Sequence, residues 1–254
     1  GSPARGAVLA AESYWQWNVV RSYPRIDTFA SPSHYLIGRY RELEFPFPIS
    51  YLPNPAPTVD AEGRGEPARE HVIGYCGRVS REKGVDLLVE VARQRPDVVF
   101  EIVGDGPEAE DLKRVSSPNV RWMGWLEGEA KDEVMRRWRA SVMPSRWPEN
   151  APMSALESMA LGLPMVVSDY GGTKELVGES GLVVPLSGDS LGDAIDRLVN
   201  DDALVAKLSE TALSRVAAIY GEGAVGDRLE SLLEETIKQR RDGTGRRGWS
   251  GRGS

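Results

Sequence analysis

The sequence predicts a doubly wound α/β domain, in which helices cover both faces of a parallel sheet. From about residue 70, short apolar runs alternate with amphipathic stretches. Most of the runs are rich in Val and Ile and apolar on both sides, as strands buried on both faces require. Regular alternation of strand and helix implies βαβ units and therefore parallel pairing. Ligand sites in such sheets lie beyond the C-terminal ends of the strands.

The strands are expected at His71–Tyr75, Val98–Val103, Asn119–Met123, Ala140–Met143, Pro164–Ser168 and Gly181–Val184. Helices fall between them. Lys83–Gln94 sets Val85, Leu88, Val89 and Ala92 at helical spacing. Pro107–Val115 opens on a proline suited to a first helical position. Ala130–Trp138 follows, and Pro152–Leu161 ends at the stop signal Gly162-Leu163-Pro164. After residue 185 three helices are predicted: Leu186–Asn200, Asp202–Tyr220 and Gly223–Arg241.

Ahead of residue 70 the pattern is thinner. It reads as helix Tyr14–Arg21, strand Ile26–Ala30, helix Ser33–Glu42 and strand Ile49–Leu52, with Pro46, Pro48, Pro53, Pro55 and Pro57 marking the exit. One or two βα units cannot make an independent core. Residues 1–57 therefore either add to the larger domain or form the end of a preceding one. A polar, Gly-containing linker is expected over 58–70, the main domain over 71–222, a C-terminal helix over 223–241 and a flexible tail over 242–254. The opening Gly1-Ser2 has the look of an added remnant ahead of a truncated start.

Composition narrows the function classes. The chain has 254 residues with 31 Lys+Arg against 38 Asp+Glu, a net charge of -7 that makes bulk nucleic-acid binding a poor expectation. The single cysteine, Cys76, cannot form an internal disulfide, which fits a reducing, cytoplasmic compartment. No run approaches the roughly 20 apolar residues of a membrane span. Residues 238–254 carry six Lys/Arg and one Asp among many glycines, so any membrane contact, at the inner face, would be peripheral.

Three clusters sit where strand ends are expected. The first is Gly77-Arg78-Val79-Ser80-Arg81-Glu82-Lys83-Gly84. A small-residue loop carrying Arg78 and Lys83 at a helix N-terminus outlines a phosphate site, although a solvated charged turn has the same spacing. The second, Gly104-Asp105-Gly106-Pro107-Glu108-Ala109, matches a loose dinucleotide fingerprint. Pro107 is unusual for that use, and a tight strand-to-helix turn explains the glycines better. The third runs from Glu149 to Glu157, through Asn150, Ala151, Pro152 and Met153. Pro148 and Pro152 keep Glu149 on a loop while Glu157 lies within the next helix, so both acids can face one crevice. A carboxylate accepting two hydrogen bonds suits the vicinal diol of a ribose or hexose, but the spacing alone equally fits two surface acids.

Several absences also matter. The sequence has no Asp-x-Asp pair and no G-x-x-x-x-G-K-[ST] loop, and His34 and His71 stand in no metal-ligand or Ser/His/Asp arrangement. Trp15, Trp17, Trp122, Trp125, Trp138 and Trp147 offer candidates for a sugar-stacking platform, though tryptophans at such positions are more often core.

Taken in order, Gly77–Asp86, Val103–Pro107, Val120–Gly124, Pro144-Ser145 with Glu149–Pro152 and Leu156–Pro164, and Ser168-Asp169 with Gly171-Gly172 and Glu175 closely resemble the C-terminal half of family 4 (group 1) retaining glycosyltransferases of the GT-B type. Ile26–Ser33 and Tyr51–Pro55 resemble the end of that family's N-terminal, acceptor-side domain. The resemblance implies a Rossmann-like C-terminal domain that binds a nucleoside-diphosphate sugar, with a partial N-terminal segment attached.

It also implies roles. Arg78 and Lys83, with Gly77 beside them, match the basic pair that holds the donor diphosphate. Glu149 matches the acid that contacts the transferred sugar, and Glu157 the one that holds the ribose hydroxyls. Arg78, Lys83 and Glu149 are thus the expected catalytic group. Ala151, Pro152 and Met153 match backbone positions beside sugar and phosphate, and Gly171 and Gly172 a glycine pair whose backbone approaches the donor. The base is expected near Met123. No metal or other cofactor is implied, because the cations would take the charge of the leaving diphosphate. The resemblance lacks its front part: the glycine-rich loop and acceptor site of the N-terminal domain have no counterpart, and His34 does not match the family's catalytic histidine. A missing N-terminal domain or a partner chain is therefore expected to supply the acceptor site. A non-catalytic nucleotide-sugar-binding module is the main alternative, with an NAD(P)-dependent oxidoreductase built on Gly104-Asp105-Gly106, or an epimerase, behind it.

Overall fold

The computed structural model describes residues 3–20, 22–58 and 71–243. Most of the expected linker and tail thus lies outside the described residues.

The chain begins with helix α1 (Pro3–Tyr14), which runs on into a wide π-type turn at Trp15–Val20. The sequence pattern placed this helix later, at Tyr14–Arg21. The earlier start comes from Ala4, Ala7, Ala10 and Ala11, which favour helix without producing an apolar stripe. Strand β1 (Phe29–Ser31), helix α2 (His34–Glu42) and strand β2 (Ile49–Tyr51) follow, and β1 and β2 pair in parallel. Phe29 packs its ring against Phe45 and Phe47, with centroids 5.2 and 5.4 Å away.

The main sheet is built from β3 (Val72–Cys76), β4 (Val99–Val103), β5 (Val120–Gly124), β6 (Ala140–Met143), β7 (Met165–Ser168) and β8 (Gly181–Val184). Its order is β5-β4-β3-β6-β7-β8, and every pair is parallel. Between the strands lie α3 (Val85–Arg93), α4 (Ala109–Val115), α5 (Gly128–Arg136), α6 (Met153–Ala160) and α7 (Thr173–Val177). The chain closes with α8 (Gly188–Asn200), α9 (Asp202–Arg215) and α10 (Glu222–Arg241). Helix α7 has only 5 residues, too few to leave a periodic signal, so the sequence pattern does not predict it. Pro107 lies in the turn before α4 rather than inside it.

The pleat sends alternate residues to opposite faces. Ile73, Tyr75, Phe100, Ile102, Ala140 and Val142 pack on one face with buried residues of α3, α8 and α9. Val72, Val103, Met143, Met165 and Val167 face the other side, under α5, α6 and α7. The doubly wound arrangement follows from this two-sided burial. On the second face Trp138 is completely buried and donates from Nε1 to Glu101 at 2.9 Å. Gly74 makes that seat possible, since a Cβ there would lie 1.9 Å from the indole.

The β1–β2 segment rests on this domain through polar contacts. Both carboxylate oxygens of Glu175 accept from the first backbone N–H groups of α2, His34 at 2.8 Å and Tyr35 at 2.9 Å. They satisfy donors that the helix itself leaves open. Ser33 also hydrogen-bonds Asn150, Asn54 donates to the Ala151 carbonyl at 3.2 Å, and the Ala56 N–H donates to the Tyr220 carbonyl at 2.7 Å. From α10, Arg240 pairs with Asp27 at 3.0 Å and Arg228 lies over the Tyr51 ring.

Candidate functional site

Strands β3 and β6 are neighbours although β4 and β5 intervene in the chain. The winding of the sheet reverses here, the place at which open α/β sheets bind their ligands. The first and third sequence clusters are the loops leaving these two strands.

In the first, Gly77 and Val79 donate their N–H groups to the carbonyls of Val103 and Asp105, at 3.0 and 2.9 Å. The Tyr75 hydroxyl donates to the Arg78 carbonyl at 2.7 Å. Lys83 ends a single turn of 3-10 helix, Arg81–Lys83, which Gly84 separates from α3. The apolar spacing predicts that Lys83 opens the long helix. The break arises because Gly84 adopts φ 71, a left-handed conformation that suits glycine. Its missing side chain also lets the backbone approach the next loop: a Cβ would sit 2.0 Å from the Pro144 carbonyl. The Glu82 carbonyl completes this contact, accepting from the N–H groups of Arg146 and Trp147 at 2.8 and 3.1 Å.

This stitching brings Lys83 to Glu149. Nζ lies 2.5 Å from Oε1, and the Ser145 hydroxyl donates to the same oxygen at 2.9 Å. Glu149 is buried, so its charge is compensated within the protein rather than by bulk water. Ser145 was not among the predicted residues. Arg78 is exposed and makes no ion pair among the described residues. The Ser80 hydroxyl, foremost, then a backbone hydrogen bond and lastly the charges of Arg78 and Lys83 hold the Glu82 carboxyl below the usual range.

Gly171 and Gly172 brace the same acid from behind. Gly172 donates to the Glu149 carbonyl at 2.6 Å. A Cβ on Gly171 would meet the Glu149 backbone nitrogen at 2.6 Å, and one on Gly172 the Asn150 carbonyl at 2.1 Å. The pair's close backbone approach is therefore made to residues 149–150. Ala151 and Pro152 are half-buried and Met153 is exposed. Met123 packs partly buried against the cluster that includes Trp138 and Leu163, and the Gly124 carbonyl accepts from Gly104 at 2.7 Å.

Glu157 is the fifth residue of α6 and pairs with Lys131 of α5 at 2.8 Å. Each acid of the predicted pair thus has a lysine of its own. Cys76 ends β3 beside the second pair. Burial first, and then the Glu157 charge, push its thiol up to about 11. Lys131 itself is raised: burial opposes its charge, but the hydrogen bond and charge of Glu157 prevail.

The second cluster is used by the protein's own backbone. A Cβ on Gly104 would lie 1.9 Å from the Gly77 carbonyl oxygen, and one on Gly106 2.2 Å from that of Val79. These glycines let the second turn nest under the first. Among the other candidates, Trp138 is core, Trp122 donates to Ser116 at 3.2 Å, and Trp125 and Trp147 are exposed near the strand ends. The His34 ring stacks on Tyr51. Among the described residues no three His, Cys, Asp or Glu side chains converge as a metal site would require.

Comparisons with known proteins agree with this architecture. The family described as "Glycosyl transferases group 1" matches residues 59–215, more than half of the chain. Alpha-D-kanosaminyltransferase of Streptomyces kanamyceticus is 31% identical over 195 residues, 69% of this chain and 50% of that protein. 2-Deoxystreptamine N-acetyl-D-glucosaminyltransferase of Streptomyces fradiae is 30% identical over 248 residues, 88% of this chain and 57% of that protein. The chain therefore spans about half the length of these curated relatives. Among solved structures, sucrose-phosphate synthase from Thermosynechococcus elongatus gives a TM-score of 0.72 at 23% identity, covering 82% of this chain and 58% of that one. Anabaena HepE, solved with UDP and glucose, gives 0.71 at 18% identity, covering 82% and 63%. At these identities the structural likeness shows the fold. The extent of the family match, with two relatives at or above 30% identity across more than two thirds of the chain, shows that this protein belongs to the group 1 glycosyltransferases.

Proposed function

We propose that this chain is the donor-binding half of a metal-independent, retaining glycosyltransferase, taking a sugar from a nucleoside-diphosphate sugar. The observation that carries this reading is the Lys83–Glu149 ion pair beside Arg78, held at the reversal of the sheet by two stitched loops. Transfer from a nucleotide sugar builds negative charge on the departing diphosphate. A cation about 4 Å away stabilises such a charge by up to about 4 kcal/mol in a surface-like dielectric. Lys83 and Arg78 supply two. Glu149, its carboxylate already oriented by Lys83 and Ser145, accepts from hydroxyls of the sugar, and Glu157 from those of the ribose. Ala151, Pro152, Met153, Gly171 and Gly172 frame the sugar and phosphates, and the base lies near Met123.

The acceptor is held by a further domain or a partner chain. The coverage of the relatives, 50% and 57%, supports this, and so does the similarity to one chain of a GtfA/B complex, with a TM-score of 0.70 at 18% identity. Thermal unfolding with UDP, GDP, ADP and NADH tests the reading. At about 100 times Kd a bound nucleotide adds about 2.7 kcal/mol, which raises the melting temperature by about 5–11 °C for a chain of this size. A selective rise with one nucleoside diphosphate is expected. A rise with NADH alone would overturn the assignment.

A further inference from the structure

Lys131, the partner of Glu157, has no role yet in the donor site. Lys131 stands near the start of α5 and Glu157 midway along α6, yet their charged ends meet at 2.8 Å with side chains only 18% and 23% exposed. Half-withdrawn charges are costly to hold and contribute little net stability, so folding alone gives no reason for the pair. Its place is informative. The neighbouring Cys76 ends β3, the strand at which the sheet reverses, and α5 follows the Gly124 turn that ends β5. The other acid of the site is already matched by Lys83 and Ser145.

We infer that Lys131 is a donor-binding residue: the ribose diol enters between it and Glu157, donating both hydroxyl hydrogens to the carboxylate and accepting from the ammonium. This rests on the reading of Glu157 as the ribose-binding acid. The complementarity is chemical. A vicinal diol offers two donors and four lone pairs, and a carboxylate satisfies only the donors. An ammonium beside it supplies the matching donors, and both contacts are charge-assisted. Before binding, the ion pair with Lys131 holds the Glu157 carboxylate in place, so it needs no new partner until the diol arrives. A lysine on an amphipathic helix reads in sequence as a solvated face, which is why no motif marks it.

Calorimetric titration of the unaltered chain with UDP, GDP and ADP identifies the nucleotide that binds. Lys131→Ala, Lys131→Met and Lys131→Arg are then titrated with that nucleotide and with its 2′,3′-dideoxy form. Ala and Met are expected to weaken the ribonucleotide about 10- to 100-fold, the range for a charge-assisted hydrogen bond. Arg should retain most of the affinity, and none of the three should shift the dideoxy form by more than about 3-fold. Met keeps the aliphatic stem, so it preserves the test if Ala fails to fold. Equal losses for the two nucleotide forms, or unchanged affinity in Ala and Met, would overturn the inference while leaving the donor site intact. No binding of any nucleoside diphosphate by the unaltered chain would overturn both.

Discussion

Two glycine turns leave adjacent strands at the same end of one sheet, and they do different work. The turn after β3 carries Arg78 and Lys83 and sends the lysine to a buried acid on another loop. The turn after β4 carries a closer match to a dinucleotide fingerprint, yet its glycines lie against the carbonyls of Gly77 and Val79. In one turn the glycines serve side chains that reach outward. In the other they serve the protein's own backbone, so that the first turn has a rigid seat. A glycine spacing does not distinguish these uses; what lies opposite the missing Cβ does.

The largest effect should come from filling that seat. Gly104→Ala places a Cβ 1.9 Å from the Gly77 oxygen at φ 137. A loss of about 2–4 kcal/mol is expected in denaturant unfolding, from backbone strain and displaced packing. An unchanged midpoint would mean that the second turn is not a buttress. Next comes the thiol at the head of the first turn. The thiolate is the reactive form, and burial with the Glu157 charge holds Cys76 neutral up to about pH 11. At pH 8 iodoacetamide should modify the folded chain about 100-fold more slowly than the unfolded one, the rate rising as pH approaches 11. Rapid labelling at pH 8 would remove Cys76 from the buried side of the site.

Lys83→Ala and Glu157→Ala sharpen the comparison from the binding side. Each should weaken nucleoside-diphosphate binding by about 1–3 kcal/mol in calorimetry. If both bind as the unaltered chain does, the site lies elsewhere. The smallest effect belongs to Asp105→Ala in the second turn. Asp105 is exposed, and among the described residues its side chain accepts only from the Gly106 N–H at 2.7 Å. Its removal should change nucleotide affinity by less than about 0.5 kcal/mol. A larger loss would return that turn to the candidates for cofactor binding.

Much of the fold was legible in the sequence because the sheet is buried on both faces. All six strands of the main sheet appear near their predicted positions, since burial leaves short, largely apolar runs, although Glu101 interrupts β4 and Arg121 interrupts β5. Helix α7 and the early start of α1 were not legible, the first because 5 residues make no period and the second because alanines make no stripe. The charged residues of the first and third clusters were legible as candidates. Ser145 and Lys131 were not, because a serine in a loop and a lysine on a helix carry no pattern of their own. Glu175 stood in a recognised segment, but its grip on α2 joins residues 141 and 140 positions apart, beyond any local signal.

The sequence by itself determined the alternating strands and helices, the acids and cations available at the strand ends, and the family. Those follow from local periodicity and residue type, which survive without a third dimension. Only the tertiary structure decided which lysine serves which acid. Lys83 meets Glu149 across 66 residues because β3 and β6 are neighbours, and Lys131 meets Glu157 because α5 and α6 cover the same face of the sheet. Strand order sets those meetings, and strand order depends on how the whole sheet buries its two faces.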